Sequence, residues 1–289
     1  MELRTLRYFV TVVREGSITA AAKSLHVTQP TLSRQLAALE DELGHLLYQR
    51  NRKGIELTEQ GVILRRYAES ILALADKAEE EIALPTHSIA GKVHIAAGET
   101  QAMELVAEAM KRTSAAYPGI TFELYSGTSA DLMDNFVRGF YDFLLECELR
   151  SHVDMHTLRL PHTDTWGLLV RRDNPLAAKA AVMPEDLLDQ PLISSRQGVK
   201  VGVRATYNLP LNAKFLVRQG IGSAFTYRGL FEANELNDLA FVPLSPTLES
   251  TQGLVWRKTL PTRQAQAFLD TLKGLCAERD FENPPADAS

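Results

Sequence analysis

Cysteine and tryptophan are almost missing from this 289-residue chain, with two of each, and acidic residues outnumber basic ones. Two cysteines set far apart, Cys147 and Cys276, cannot frame a disulfide scaffold and fit a reducing compartment. No apolar run is long enough to cross a bilayer, and Met1 to Arg7 alternate charged with apolar positions, so neither a membrane helix nor a secretory signal is expected and the cytoplasm is the expected location. Catalytic signatures are lacking too. There is no Gly-x-Ser-x-Gly elbow, no His-Glu-x-x-His and no Gly-Lys-Ser/Thr phosphate loop, and Gly220-Ile-Gly222 lacks the third glycine of a dinucleotide fingerprint. No catalytic residue and no cofactor is therefore expected.

A net charge of −5 argues against a nucleic-acid binder until it is divided along the chain. Residues 1–66 hold ten Lys or Arg against seven Asp or Glu, residues 67–90 one against five, and residues 91–289 twenty against twenty-four. Only the first part is basic, and its charge gathers near Arg50, Arg52 and Lys53, so the overall balance says little about DNA.

Within that part, Thr28 to Glu40 reads as a short helix. Thr28 can accept from first-turn amides, and Pro30 is tolerated where those amides have no partner. Leu32, Leu36 and Leu39 form one stripe, with Pro30, Arg34 and Ala37 opposite. Upstream, Ser17 to Leu25 is a second short helix whose Ala20, Ala21 and Ala22 permit a steep crossing, joined by His26-Val27. This is a helix-turn-helix pattern, in which the second helix enters the major groove with Thr28, Gln29, Pro30, Thr31, Ser33 and Arg34 at the duplex. Leu3, Leu6, Phe9, Val10 and Val13 are the expected buried stripe of a supporting first helix. Leu46-Leu-Tyr48 and Ile55-Glu-Leu57 flank a basic hairpin tip, where Arg50, Arg52 and Lys53 would meet phosphates.

At this point the chain resembles the LysR-type transcriptional regulators. The match runs through Leu6, Phe9, Val10 and Val13, Ala21 to Leu25, the Thr-Gln-Pro-x-Leu-Ser-x-Gln-Leu of Thr28 to Leu36, Leu39-Glu40, Leu43-Gly44, Arg50, Leu57-Thr58 and Gly61. The resemblance implies double-stranded DNA as a partner, a homodimer or homotetramer, and RNA polymerase as a further partner at promoters. Thr58 opens a long helix expected to reach Leu84, with Pro85 ending it. Its Leu64, Ala68, Ile71, Ala75, Ala78 and Ile82 recur at the spacing of a coiled-coil seam, which either a second copy or the protein's own body can cover.

From Lys92 the pattern becomes β-α-β-α-β, then a second α/β set from Trp166 to Trp256, closed by a helix from Thr262 to Leu275. This half is similar to the family's effector domain, a periplasmic-binding-protein-like pair of lobes, on Gly91 to Ile95, Gly139 with Asp142 to Leu145, Asn174 to Ala177, Val217 to Gly222 and Val255 to Arg257. The expected architecture is α/β with an N-terminal all-α winged helix-turn-helix. Its expected parts are a DNA-binding domain (1–58), a dimerisation helix (59–87), lobe I (91–161 and 263–289) and lobe II (162–262). Between Pro191 and Val217 the chain is shorter than the resembled family, so one wall of lobe II is expected to differ. The tail from Glu282 is expected to be disordered.

Ligands in parallel α/β sheets sit beyond the carboxyl ends of the strands. That rule selects Thr100, Gln101, Thr128, Ser129, Ser194, Ser195, Thr206, Tyr207, Gly220 and Ser223 for a small-molecule effector, although such hydroxyls also serve as plain helix caps. Backbone amides there favour an organic acid; Glu99, Asp131, Glu146 and Glu148 nearby favour an amine or amino acid. His152, Asp154 and His156 alternate as a metal-ligand pattern would, but metal binding is not the expected reading. Two alternatives stay open for the whole chain: a redox sensor using Cys147, and a ligand-independent architectural DNA binder.

Overall fold

A computed structural model describes residues 1–51, 54–83, 89–188, 190–196, 198, 200, 202–231 and 237–282. The chain divides into two compact units, one up to Pro85 and one from Thr86 onward.

In the first unit, α1 (Leu3–Glu15) ends at Gly16, whose φ of 66° closes the helix with its amide on the Val12 carbonyl. Ser17 then caps α2 (Ile18–Ser24) by accepting from the Ala20 amide at 3.4 Å, and Thr28 caps α3 (Gln29–Leu43) by accepting from that of Thr31. His26 holds a φ of 55° in the turn between them, a left-handed conformation that histidine tolerates better than most side chains. Phe9, Val12, Ile18, Ala21, Ala22, Leu32, Leu36 and Leu39 form the core. The expected stripe on α1 is corrected by that core: Val12 is fully buried, Val10 and Val13 are half-buried, and Leu3 in the first turn is 48 % exposed. Strands β1 (Tyr48–Asn51) and β2 (Gly54–Leu57) make the wing, so Leu46, expected in its first apolar run, lies outside it and is 64 % exposed. The Ile55 amide donates to the Gly16 carbonyl at 3.1 Å, tying the wing to the turn before α2.

Helix α4 (Glu59–Ile82) is capped by Thr58, which accepts from the Gly61 amide. Its expected end at Leu84 and Pro85 lies outside the described residues. Leu64, Ala68, Ile71 and Leu72 pack with Leu6 and Val10 of α1. The amino-terminal half of the expected seam is thus covered within the chain, while Ile63 and Tyr67 beside it are each 48 % exposed.

The second unit holds one path of paired strands in the order β4-β3-β5-β11-β6-β9-β7-β8, with β10 against β6. Lobe I takes β3 (Gly91–Ala97), α5 (Met103–Ala116), β4 (Ile120–Ser126), α6 (Ser129–Val137), β5 (Phe143–Glu146) and the closing α8 (Arg263–Glu282). Val93, Ile95, Val106, Phe143 and Phe268 lie in its core. Lobe II takes β7 (Leu192–Ser195), β8 (Val203–Tyr207), α7 (Ala213–Arg218), β9 (Ser223–Tyr227) and β10 (Leu239–Pro243). Strand β6 (Met155–Arg171) crosses between them: residues up to Thr165 pair with β11 (Glu249–Arg257), and from Trp166 it pairs with β9 and β10. Because Gly253 to Val255 of β11 pair with β5, the chain has returned to lobe I before residue 262, where lobe II was expected to end.

Strands β7 and β8 are parallel neighbours joined by residues 196–202 alone. Parallel neighbours ordinarily need a longer crossover, usually a helix, and here the connection has no room for one. On β8, Arg204 and Thr206 stand exposed.

Candidate nucleic-acid interface and inter-lobe cleft

Burying Leu32, Leu36 and Leu39 turns the other side of α3 outward. Thr28, Pro30 and Arg34 are exposed there, and Gln29, Thr31 and Ser33 half-buried. The Thr28 and Thr31 hydroxyls bond each other at 2.8 Å, which holds the first turn's polar edge in one arrangement. Arg34 has no hydrogen-bond or ion-pair partner among the described residues. Arg50, on β1 of the wing, donates from Nη2 to the Ser33 hydroxyl at 3.1 Å. That bond joins the wing to α3, a role the sequence reading missed because it treated Arg50 only as a phosphate contact. Arg52 and Lys53 lie outside the described residues.

In the second unit the carboxyl-end rule sorts its own candidates. Thr100 and Gln101 follow β3, Thr128 and Ser129 follow β4, and Ser194, Ser195, Thr206 and Tyr207 end the parallel strands β7 and β8. Gly220 and Ser223 do not join them. Ser223 begins β9 and pairs with Leu192 at the start of β7, so both lie at the amino ends of these strands, about 10 Å from Ser195 at the usual rise. The error has a simple cause: the loop from a helix into a parallel strand arrives at the strand's amino end, and the cleft-facing end of β9 is Tyr227.

Several chosen hydroxyls are already engaged. Thr100 is buried and donates to Asp164 Oδ2 at 2.6 Å; Thr128 caps α6; the Tyr207 hydroxyl donates to the Phe225 carbonyl at 2.7 Å. Burial pushes the Tyr207 phenol up to about 12, with Glu99 adding to it. Ser194 is buried, and a side chain at Gly198 would strike the Ser194 and Ser195 hydroxyls.

The two lobes meet across these strand ends. Glu99 Oε2 accepts from the Leu211 amide at 2.8 Å, and the Gln101 amide lies against Gly229, where a Cβ would come within 2.5 Å of it. Burial holds the Glu99 carboxyl above its usual range, partly offset by the Leu211 N–H. Beneath them Asp164, with a fully buried side chain, also accepts from Gln252 Nε2 at 3.1 Å and has His162 Nε2 2.9 Å from Oδ1. Glu146 is paired with His152 at 3.0 Å. Sequence reasoning passed over Asp164 and Gln252, since a lone polar residue in a long strand pattern carries no local sign of its partners.

Position bears on two other readings. His152 precedes β6 and bonds Glu146, whereas His156 lies against the Trp256 ring, 5.4 Å between centroids, so the pair does not converge as the alternation suggested. Cys276 is buried in the lobe I core. Cys147 is half-buried, and burial, then Asp164, Glu148, Glu99 and Glu146, push its thiol up to about 12. A peroxide-reactive cysteine needs the opposite shift. At pH 8 the folded protein is accordingly expected to react with iodoacetamide at Cys147 at least ten-fold more slowly than the same protein in urea, followed by mass spectrometry; equal rates would restore the redox reading.

The family model described as bacterial regulatory helix-turn-helix protein, lysR family, matches residues 3–62, and the LysR substrate binding domain model matches residues 86–277. Among curated relatives, the HTH-type transcriptional regulator TfdT of Cupriavidus pinatubonensis is 30% identical over 205 residues, 68% of this chain and 86% of that protein. The nitrogen assimilation regulatory protein nac of Escherichia coli is 27% identical over 281 residues, 95% of this chain and 83% of that one. Among solved structures, full-length CbnR complexed with its target DNA aligns with a TM-score of 0.71 at 22% identity, covering 95% of this chain and 100% of that one.

Proposed function

The chain belongs to the LysR family of bacterial helix-turn-helix regulators, DNA-binding transcription regulators with a substrate-binding domain, and from that premise we propose that a small molecule held between its two lobes controls how it sits on DNA. The contact that carries this reading is the one between Glu99 of lobe I and the Leu211 amide of lobe II, with Gln101 against Gly229 beside it. A ligand that changes the closure of two lobes must bind one arrangement better than the other, and these contacts are what it would strengthen or displace. Thr100, Gln101, Thr128, Ser129, Ser194, Ser195, Thr206 and Tyr207 remain the candidate surround.

The duplex is read by α3, with Arg34 toward base edges and Arg50 toward phosphate. Nuclease footprinting on an operator, with and without a panel of organic acids, amines and amino acids, tests the ligand-controlled reading: at least one class is expected to shorten or shift the protected region. A footprint unmoved by the whole panel would favour the architectural alternative instead.

We also assign self-association to α4, through the surface that α1 leaves open. Ile63 and Tyr67 are exposed one turn apart, whereas Ile71 packs in the α1–α4 cluster. Placing lysines at both exposed sites, Ile63→Lys with Tyr67→Lys, is expected to lower the sedimenting mass to the monomer without loss of helical circular dichroism, because a charge in a dimer seam has no partner. An unchanged sedimentation coefficient removes α4 as the pairing surface.

A further inference from the structure

A recess of about 270 Å³ opens at the hinge, where β6 leaves β11 for β9 and β10, and none of the strand-end candidates lines it. Its walls are Glu148 and Leu149 after β5, Trp166 of β6, and Leu248, Glu249, Ser250 and Thr251 entering β11. We propose that this recess binds a small organic ammonium ion, with the charge between Glu148 and Glu249 and the alkyl groups against Trp166, Leu149 and Leu248.

Three observations point the same way. An indole side chain and two carboxylates make a complementary lining for a cation with an apolar body. Trp166 is fixed in place: its Nε1 donates to the Ser250 hydroxyl at 2.8 Å and its ring leans on Tyr227, 4.2 Å between centroids. Among the described residues, no lysine or arginine lines the recess. Arg150 reaches Glu148 only at 3.7 Å, in a pair whose side chains are 68% and 51% exposed, so that contact is weak and easily exchanged. Glu249 is exposed and has no cationic partner among the described residues.

Just behind the wall, Glu146 and Asp164 are buried carboxylates partnered by histidines rather than by arginine or lysine. Gln252, fully buried between Asp164 and the Cys147 carbonyl, spends its amide N–H groups on them and on the Ser250 carbonyl, leaving Oε1 a buried acceptor without a donor. An anion entering here would meet the carboxylates of Glu148 and Glu249. A cation would find its charge matched beside the point where β6 exchanges β11 for β9 and β10, so that its binding would bear on the strand that crosses between the lobes.

This proposal deepens the ligand-controlled reading and rests on it for its regulatory meaning. Calorimetric titration of the full-length protein at low ionic strength with choline and with n-butylammonium is expected to show saturable binding of at least one of them. The uncharged isostere of choline, 3,3-dimethylbutan-1-ol, should bind at least ten-fold more weakly than choline, or not at all. A variant carrying Glu148→Gln and Glu249→Gln, both at exposed positions, should lose at least ten-fold in affinity for the bound cation while melting like the parent. Absence of saturable binding of either cation, equal binding of choline and its isostere, or undiminished binding by the variant overturns the proposal. Calorimetry and the footprint separate the two readings: saturable cation binding with a footprint that no metabolite moves supports the recess and counts against ligand control, whereas a footprint moved by other metabolites with no saturable cation binding leaves ligand control intact and overturns the recess.

Discussion

Gly61→Ala is expected to destabilise the N-terminal unit by about 3 kcal/mol or more, the range of severe core disruptions, and to lower its melting temperature by roughly 10 °C or more. The cause is space, not backbone freedom. Gly61 lies in the first turn of α4, and a Cβ there would stand 1.9 Å from the Leu47 carbonyl oxygen and 2.9 Å from its carbon. Those atoms cannot swing aside. The Leu47 carbonyl already accepts from the Thr58 amide at 3.0 Å, the Leu46 carbonyl from the Thr58 hydroxyl at 2.7 Å, and the Leu47 amide donates to Glu40 at 2.7 Å. One methyl group therefore presses on the junction of α3, the wing and α4 together. Gly44→Ala is the matched control: Gly44 has a φ of +69° and nothing within 4 Å, so its substitution carries only left-handed strain, about 1–2 kcal/mol. Thermal melts of the two variants decide the matter; a Gly61→Ala loss no larger than that of Gly44→Ala would mean that the close approach is absent.

Arg34→Ala is expected to lower operator affinity by roughly 10- to 100-fold, the worth of about 1–3 kcal/mol for a side chain reading a base edge, and to flatten discrimination at one base position. Arg34 is exposed on the side of α3 opposite its buried leucines and has no partner to surrender among the described residues. Arg50→Ala should differ in kind. Its guanidinium rests on the Ser33 hydroxyl, and as a phosphate contact its loss should weaken all sequences alike and reduce the salt slope by about one. Binding measured over a salt series, on the operator and on scrambled DNA, separates them. Equal and sequence-blind losses for both variants would show that Arg34 touches only phosphate.

The local elements were largely legible in the residues. Caps at Ser17, Thr28 and Thr58 and the stop at Gly16 act within a few positions, and the leucine stripe of α3 repeats within one helix, so each leaves a mark in the sequence. The errors arose where one surface had two possible partners. The stripe on α4 is the same sequence whether α1 or a second copy covers it, and the structure gives its first half to α1. Gly220 and Ser223 were misplaced because the end of a strand that faces a cleft depends on its direction relative to neighbours far away in the chain.

Sequence alone determined the outward face of α3, the two α/β halves and the family, because hydrophobic period, helix caps and motif register are short-range properties. Tertiary structure decided the Arg50–Ser33 bond, the parallel pairing of β7 with β8, and the meeting of Glu148, Trp166 and Glu249 at one recess. Those residues are separated by tens of positions, and only the pairing of β6 with β11 and then β9 brings them together. Charge and aromatic surface acquire a binding meaning through distance, and distance between remote residues is set by the fold.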